Sequence, residues 1–149
     1  MIALIDTSVL IALKAPVPDK QVDAQRAFRS LDSLWWQQCI TPQVMMEYWS
    51  VATRPATVRG GLGLTLGETE QDIAAFLRRF RLLHEPELLF PTWWEIVRQY
   101  NVSGRQVWDA RLAALAKVHN IRYVLTFNTA DFQRFDFLKV IDATNPLPP

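Results

Sequence analysis

Short apolar runs alternate along this chain with segments of helical period, and that alternation restricts the fold more than any other feature of the sequence. The runs are "IALI" at 2–5, "QQCIT" at 37–41, "YVLTF" at 123–127 and "KVIDA" at 139–143. The first and third are apolar almost throughout, as strands covered on both faces are. Between the runs lie the helical segments. "TSVLIALK" at 7–14 reads as a short helix, and "DKQVDAQRAFRSL" at 19–31 places Val22, Phe28 and Leu31 on one stripe. Thr41 followed by Pro42 is a helix start, a side-chain acceptor before a residue of preset φ, and "RP" at 54–55 stops that helix near Thr53. "ATVRGGLGL" at 56–64 is a loop, and "TLGE" at 65–68 is a capping box for a helix through about Arg81. "PTWWEIVRQY" at 91–100 is another helix and "NVSGR" at 101–105 a turn. "QVWDARLAALAKVHN" at 106–120, rich in Ala and Leu, is the clearest helix of all.

Strands separated by helices form parallel sheets with helices on their faces. We therefore expect an α/β fold of three layers, a central, mostly parallel sheet of about four to five short strands flanked by helices, in one domain spanning 1–149. The chain's 149 residues, half of them apolar and 21% charged, suit one ordinary globular core. Its longest apolar runs, 1–5 and 9–13, are far shorter than the roughly 20 residues of a membrane span. No charged leader precedes them, and we expect a soluble, cytoplasmic protein with no membrane partner. The single cysteine, Cys39, excludes an internal disulfide and reads as a small buried hydrophobe. A net charge of +1 provides no broad basic field, so any nucleic-acid contact must come from a local patch.

In parallel sheets the site lies beyond the carboxyl ends of the strands. The first strand ends on Asp6, with Thr7 and Ser8 beside it, and "NTADF", read as a loop carrying Asn128 and Asp131, follows "YVLTF". An ionised carboxylate at the edge of a core is costly unless it is paired, hydrogen-bonded or holding a metal. Two helices add acids of their own. Glu47 falls within the apolar stripe set by Val44 and Val51, and Asp109 shares a helix face with Leu112 and Ala113. Singly, Glu47 could reach water or Arg54, Asp109 could serve the helix dipole and Asp131 could cap a turn. Together they have a simpler common cause. Carboxylates about 4 Å apart repel by roughly 4 kcal/mol per pair at an effective dielectric near 20, so several converge only around a cation. Oxygen-only ligation suits Mg²⁺ or Mn²⁺, in one or two ions, rather than zinc, and His84 and His119 lack ligand spacing. Such a site suits phosphodiester hydrolysis.

"LIDTSVL", "VMMEYWSVATRP", "VSGRQVWDARLAALAKVHNI" and "VLTFNTADF", in this order, resemble a PIN domain of the VapC type, the ribonuclease toxin of toxin-antitoxin pairs. The resemblance covers nearly the whole chain. It implies a Mg²⁺- or Mn²⁺-dependent endoribonuclease with RNA as substrate, a small antitoxin as partner and a homodimer. Residue by residue it carries over to Asp6, Glu47 and Asp109 as catalytic metal ligands, with Thr7, Ser8 and Thr126 in support. The fourth position is Asp131 or, where many members place an Asp, Asn128.

The chain itself offers RNA a few cations. Arg54, Arg59 and Arg105 could line the approach to the rim, with Arg78, Arg79 and Arg81 further candidates. The paired tryptophans, Trp35–Trp36 and Trp93–Trp94, suggest a partner groove, because two adjacent helix residues cannot both face one core. The alternative reading is a PIN-fold RNA-binding or regulatory module without catalysis. A phosphatase with an N-terminal aspartyl nucleophile needs a second Asp two residues on, where this chain has Ser8. A duplex-directed DNA nuclease needs long inserts that the chain lacks.

Overall fold

A computed structural model describes residues 1–146; the end of the proline-rich tail, from residue 147, lies outside the described residues. Five strands form one sheet in the order β3-β2-β1-β4-β5, every pairing parallel. They are β1 (Ile2–Ile5), β2 (Gln37–Ile40), β3 (Arg81–Leu82), β4 (Tyr123–Thr126) and β5 (Lys139–Asp142). The helices are α1 (Thr7–Ala12), α2 (Pro18–Ser33), α3 (Pro42–Ala52), α4 (Leu66–Arg79), α5 (Leu89–Gln99), α6 (Val107–Val118) and α7 (Thr129–Phe132). From β1 the chain first builds outward through β2 to β3, then returns to the other side of β1 to lay down β4 and β5. The order therefore reverses at the β1–β4 seam, where the register pairs Ile5 with Leu125 and leaves Asp6 and Thr126 side by side. A crevice opens where the order reverses in such sheets.

Local chemistry explains most element boundaries. Thr41 accepts from the Val44 amide to start α3 at Pro42, and Thr65 and Glu68 close a reciprocal capping box on α4. The core gathers on both faces of β1 and β4 around Leu4, Ile5, Val124 and Leu125, and Cys39 lies within it, fully buried. Tyr48 of α3, also fully buried, donates its hydroxyl to Asp72 of α4 at 2.7 Å, and Lys14, just beyond α1, pairs with the same carboxylate. One network thus ties three helices behind the seam.

Four expectations are corrected. The two-residue edge strand β3 begins where α4 was expected to end, because α4 stops at Arg79. Val22 points to solvent, and the buried stripe of α2 is instead Ala24, Ala27, Phe28 and Leu31. "NTADF" is not loop throughout, since residues 129–132 close a short helix. The first tryptophan pair is not helical. Trp35 occupies a left-handed turn (φ 56°) between α2 and β2 and is 92% exposed, while Trp36 is buried edge-on against Tyr123. Among the described residues, no helix is long and apolar enough to cross a membrane.

Candidate active site

Asp6 stands at the end of β1 as the N-cap of α1, buried, with every hydrogen bond its side chain accepts among the described residues made at one oxygen. Oδ2 takes the Ser8 hydroxyl at 2.5 Å, the Thr126 hydroxyl at 2.7 Å and the Ser8 amide at 3.4 Å. The same hydroxyls accept in turn: Ser8 Oγ from the Phe127 amide and Thr126 Oγ1 from the Asn128 amide. The carboxyl ends of β1 and β4 are therefore stitched together through one carboxylate oxygen. Among the described residues the other oxygen, Oδ1, accepts no hydrogen bond, and it is not sealed from solvent, since the one fully buried side-chain polar atom without a partner there is Gln38 Oε1. Burial pushes the Asp6 carboxyl above its ordinary range, Glu47 adds to the rise, and the two hydroxyls oppose it.

Glu47 projects from α3 toward α1 rather than toward Arg54. Its Oε2 accepts from the Thr7 hydroxyl at 2.6 Å and its Oε1 from the Gln43 amide at 2.8 Å. Asp109 lies half-buried in the first turn of α6. Its carboxyl is pushed up to about 7, first by burial, then by the charges of Asp131, Asp6 and Glu47, with Arg134 pulling the other way. The structure thus brings all four acids within electrostatic reach of one point on the rim. It also keeps them apart. Among the described residues no three His, Cys, Asp or Glu side chains stand close enough to hold an ion as arranged. Mutual repulsion opposes closer approach, and hydroxyl and amide donors hold Asp6 and Glu47 in place.

At the fourth position the two candidates differ. Asp131 sits in the first turn of α7, its side chain caps nothing among the described residues, and its charge weighs more on Asp109 than any other carboxylate does. Asn128 is the exposed N-cap of α7, and its side chain makes no cap bond. Thr7, Ser8 and Thr126 each hold an acid directly. Arg54 is half-buried where the 55–64 loop begins, Arg59 is exposed on that loop, and Arg105 is exposed in the turn before α6; none forms an ion pair among the described residues. Arg79, by contrast, is bound to Asp32 and lies over Phe80.

Two groups near the acids escaped sequence reasoning. Arg134, three residues beyond Asp131, is the cation that bears on Asp109. Gln43, four residues before Glu47 on α3, signals its role through that i to i+4 spacing. An all-carboxylate donor set, one member of which is raised to about 7 by burial and then by the charges of the other three, fits a hard dication, which would relieve the repulsion.

The sequence model of the PIN domain family matches residues 3–138. No curated protein sequence matches the chain. Among solved structures the chain is similar in fold to VapBC2 from Rickettsia felis bound to a DNA fragment from its promoter, with a TM-score of 0.69 at 16% identity, covering 95% of this chain and 98% of that one. A toxin-antitoxin complex from Klebsiella pneumoniae gives 0.64 at 21% identity, covering 96% and 98%. VapC20 of Mycobacterium tuberculosis, a sarcin-ricin loop cleaving toxin, gives 0.64 at 20%, covering 91% and 92%.

The raised Asp109 carboxyl has a stability consequence with a definite sign. Because its folded value, about 7, lies above the unfolded value near 3.8, ionisation costs the folded state more. Stability from this group is present at pH 4 and is lost as pH rises through 7. In chelator-containing buffer, Asp109→Asn should melt close to wild type below pH 4, pull ahead of it as pH rises from 4 to 7, and stand a few degrees above it at pH 8, the gap being limited by the solvent exposure of the site. A gap that is the same below pH 4 and at pH 8 contradicts the assignment.

Proposed function

The chain belongs to the PIN domain family, and from that footing we propose that it is a VapC-type toxin, an endoribonuclease whose Asp6, Glu47, Asp109 and Asp131 hold Mg²⁺ or Mn²⁺ in one or two ions. The observation that carries this reading is the electrostatic coupling of four carboxylates, from β1's end, α3, α6 and α7, at the sheet's topological switch point. When bound, the metal supplies an activated water and positive charge for the phosphate oxygens. Each residue's part follows from its surroundings. Ser8 and Thr126 fix Asp6 through Oδ2 and leave Oδ1 to face the site. Thr7 turns Glu47 inward, so the hydroxyl next to the first acid orients the second. Asp109 and Asp131 close the set from the other side of the seam. Arg54, Arg59 and Arg105, with Arg134 nearest the acids, are the groups we assign to RNA phosphates.

The neighbours that are toxin-antitoxin complexes, and the one that is a cleaving toxin, support a small antitoxin as partner and RNA as substrate. A homodimer belongs to the same reading. Exposed Phe90, Trp94 and Trp108 on α5 and α6 offer apolar surface for a protein partner. The second reading, an RNA-binding module without catalysis, draws on the spacing of the acids, which falls short of a closed ligand set.

Cleavage of a mixed RNA pool with Mg²⁺ or Mn²⁺, and again with EDTA, separates the two. Wild-type protein should cut only with metal, and Asp6→Asn should lower the rate at least 100-fold while melting within a few degrees of wild type, because asparagine still caps α1. Asp131→Asn should also lose activity and Mn²⁺ affinity by a large factor, and Asn128→Ala should change both only slightly. An Asp6→Asn protein that cuts at the wild-type rate removes the nuclease assignment. An Asp131→Asn protein that does so reduces the site to three acids.

A further inference from the structure

Gln43 is buried in the first turn of α3, and both polar atoms of its side chain are used. Its Oε1 accepts from Arg111 Nη1 at 2.9 Å; its Nε2 donates to Glu47 Oε1 at 2.8 Å and to the Trp108 carbonyl at 2.9 Å. The orientation of this amide is not free. A guanidinium can only donate, so the atom facing Arg111 must be the oxygen, and the two N–H donors are forced toward Glu47 and Trp108. Arg111 is itself anchored, since its other nitrogen pairs with Glu85 at 2.9 Å. Trp108 directly precedes Asp109. One side chain therefore ties the carboxylate of Glu47 on α3 to the backbone beside the carboxylate of Asp109 on α6.

The arrangement also explains how Glu47 can be held without being used up. Thr7 takes one lone pair of Oε2 and Gln43 one of Oε1, leaving each oxygen a second acceptor site. We propose that Gln43 is a positioning residue of the site: locked by Arg111, it fixes the carboxylate of Glu47 and its distance from Asp109 for cation binding. This rests on the reading of Glu47 as a metal ligand. Partners that orient ligating carboxylates are commonly worth 10- to 100-fold in metal affinity.

The test is a Mn²⁺ titration by calorimetry of wild type, Gln43→Met, Glu47→Gln and the double variant, each confirmed as folded by its melting curve. Gln43→Met should weaken Mn²⁺ binding about tenfold, in the range such orienting partners span, and most of that loss should vanish when Glu47 is already Gln. Gln43→Asn, which keeps the amide but is one methylene short, should fold and show a loss of the same order. Folded Gln43 variants that bind Mn²⁺ within twofold of wild type overturn the proposal. So does an equal loss in both backgrounds, which would mark Gln43 as merely structural. A Glu47→Gln protein that binds Mn²⁺ like wild type would instead remove the ligand reading of Glu47, and the proposal with it.

Discussion

A buried carboxylate at the end of a strand is the interaction on which this architecture turns. Asp6 would be strongly unfavourable at the carboxyl edge of β1 if its charge met only apolar neighbours. It is sustained by hydroxyls from both sides of the seam, Ser8 on its own helix and Thr126 at the end of β4. Each hydroxyl also accepts a backbone amide from the segment leaving β4, so the charge organises the chain around it. The reversal of strand order at β1–β4 makes this possible, because it brings two strand ends together with no crossover between them.

The remaining acids depend on that seam in a graded way. Thr7, adjacent to Asp6, reaches Glu47, so the first turn of α1 handles two carboxylates at once. Glu47 is bonded to Gln43, which reaches the backbone next to Asp109. Hydrogen bonds thus tie Glu47 to the backbone beside Asp109, Asp6 joins them through the chain at Thr7, and Asp131 acts on Asp109 through charge. Behind the site the Lys14–Asp72–Tyr48 network anchors α1, α3 and α4 to one another. The site is rigid on its hydroxyl side and electrostatically loaded on its Asp109 side, a combination suited to a group that arrives bearing positive charge.

Much of this was legible in the sequence, and the exceptions have physical reasons. The apolar runs at 2–5 and 123–127 announced the two central strands because both of their faces are covered. β3 was hidden because two residues, Arg81 and Leu82, both exposed at a sheet edge, carry no period. Val22 misled because its bulk suggested a core position, but it lies six residues before Phe28, about 240° away around the helix, and alanines line the true face. Glu47 stood out as a charge in an apolar stripe. Gln43 did not, since an amide in a helix's first turn is unremarkable until its partners are seen. Trp35 and Trp36 looked helical only because the end of α2 at Ser33 has no glycine to mark it. Between Asn128 and Asp131 the spacing of "NTADF" could not decide, because both lie in one turn; of the two, Asp131 is the one that carries a charge, and that charge bears on Asp109.

The central claim is that these four carboxylates form one dication site. Its most direct test is a crystal structure of the protein grown with Mn²⁺ and measured at a wavelength where manganese scatters anomalously. The account predicts an anomalous peak at the β1–β4 rim, with Asp6 Oδ1 and a carboxylate oxygen of Asp109 or Glu47 at roughly 2.0–2.3 Å from it, as hard cations with oxygen ligands require. A fully soaked crystal whose rim carries no peak, with manganese absent or bound elsewhere, would contradict it.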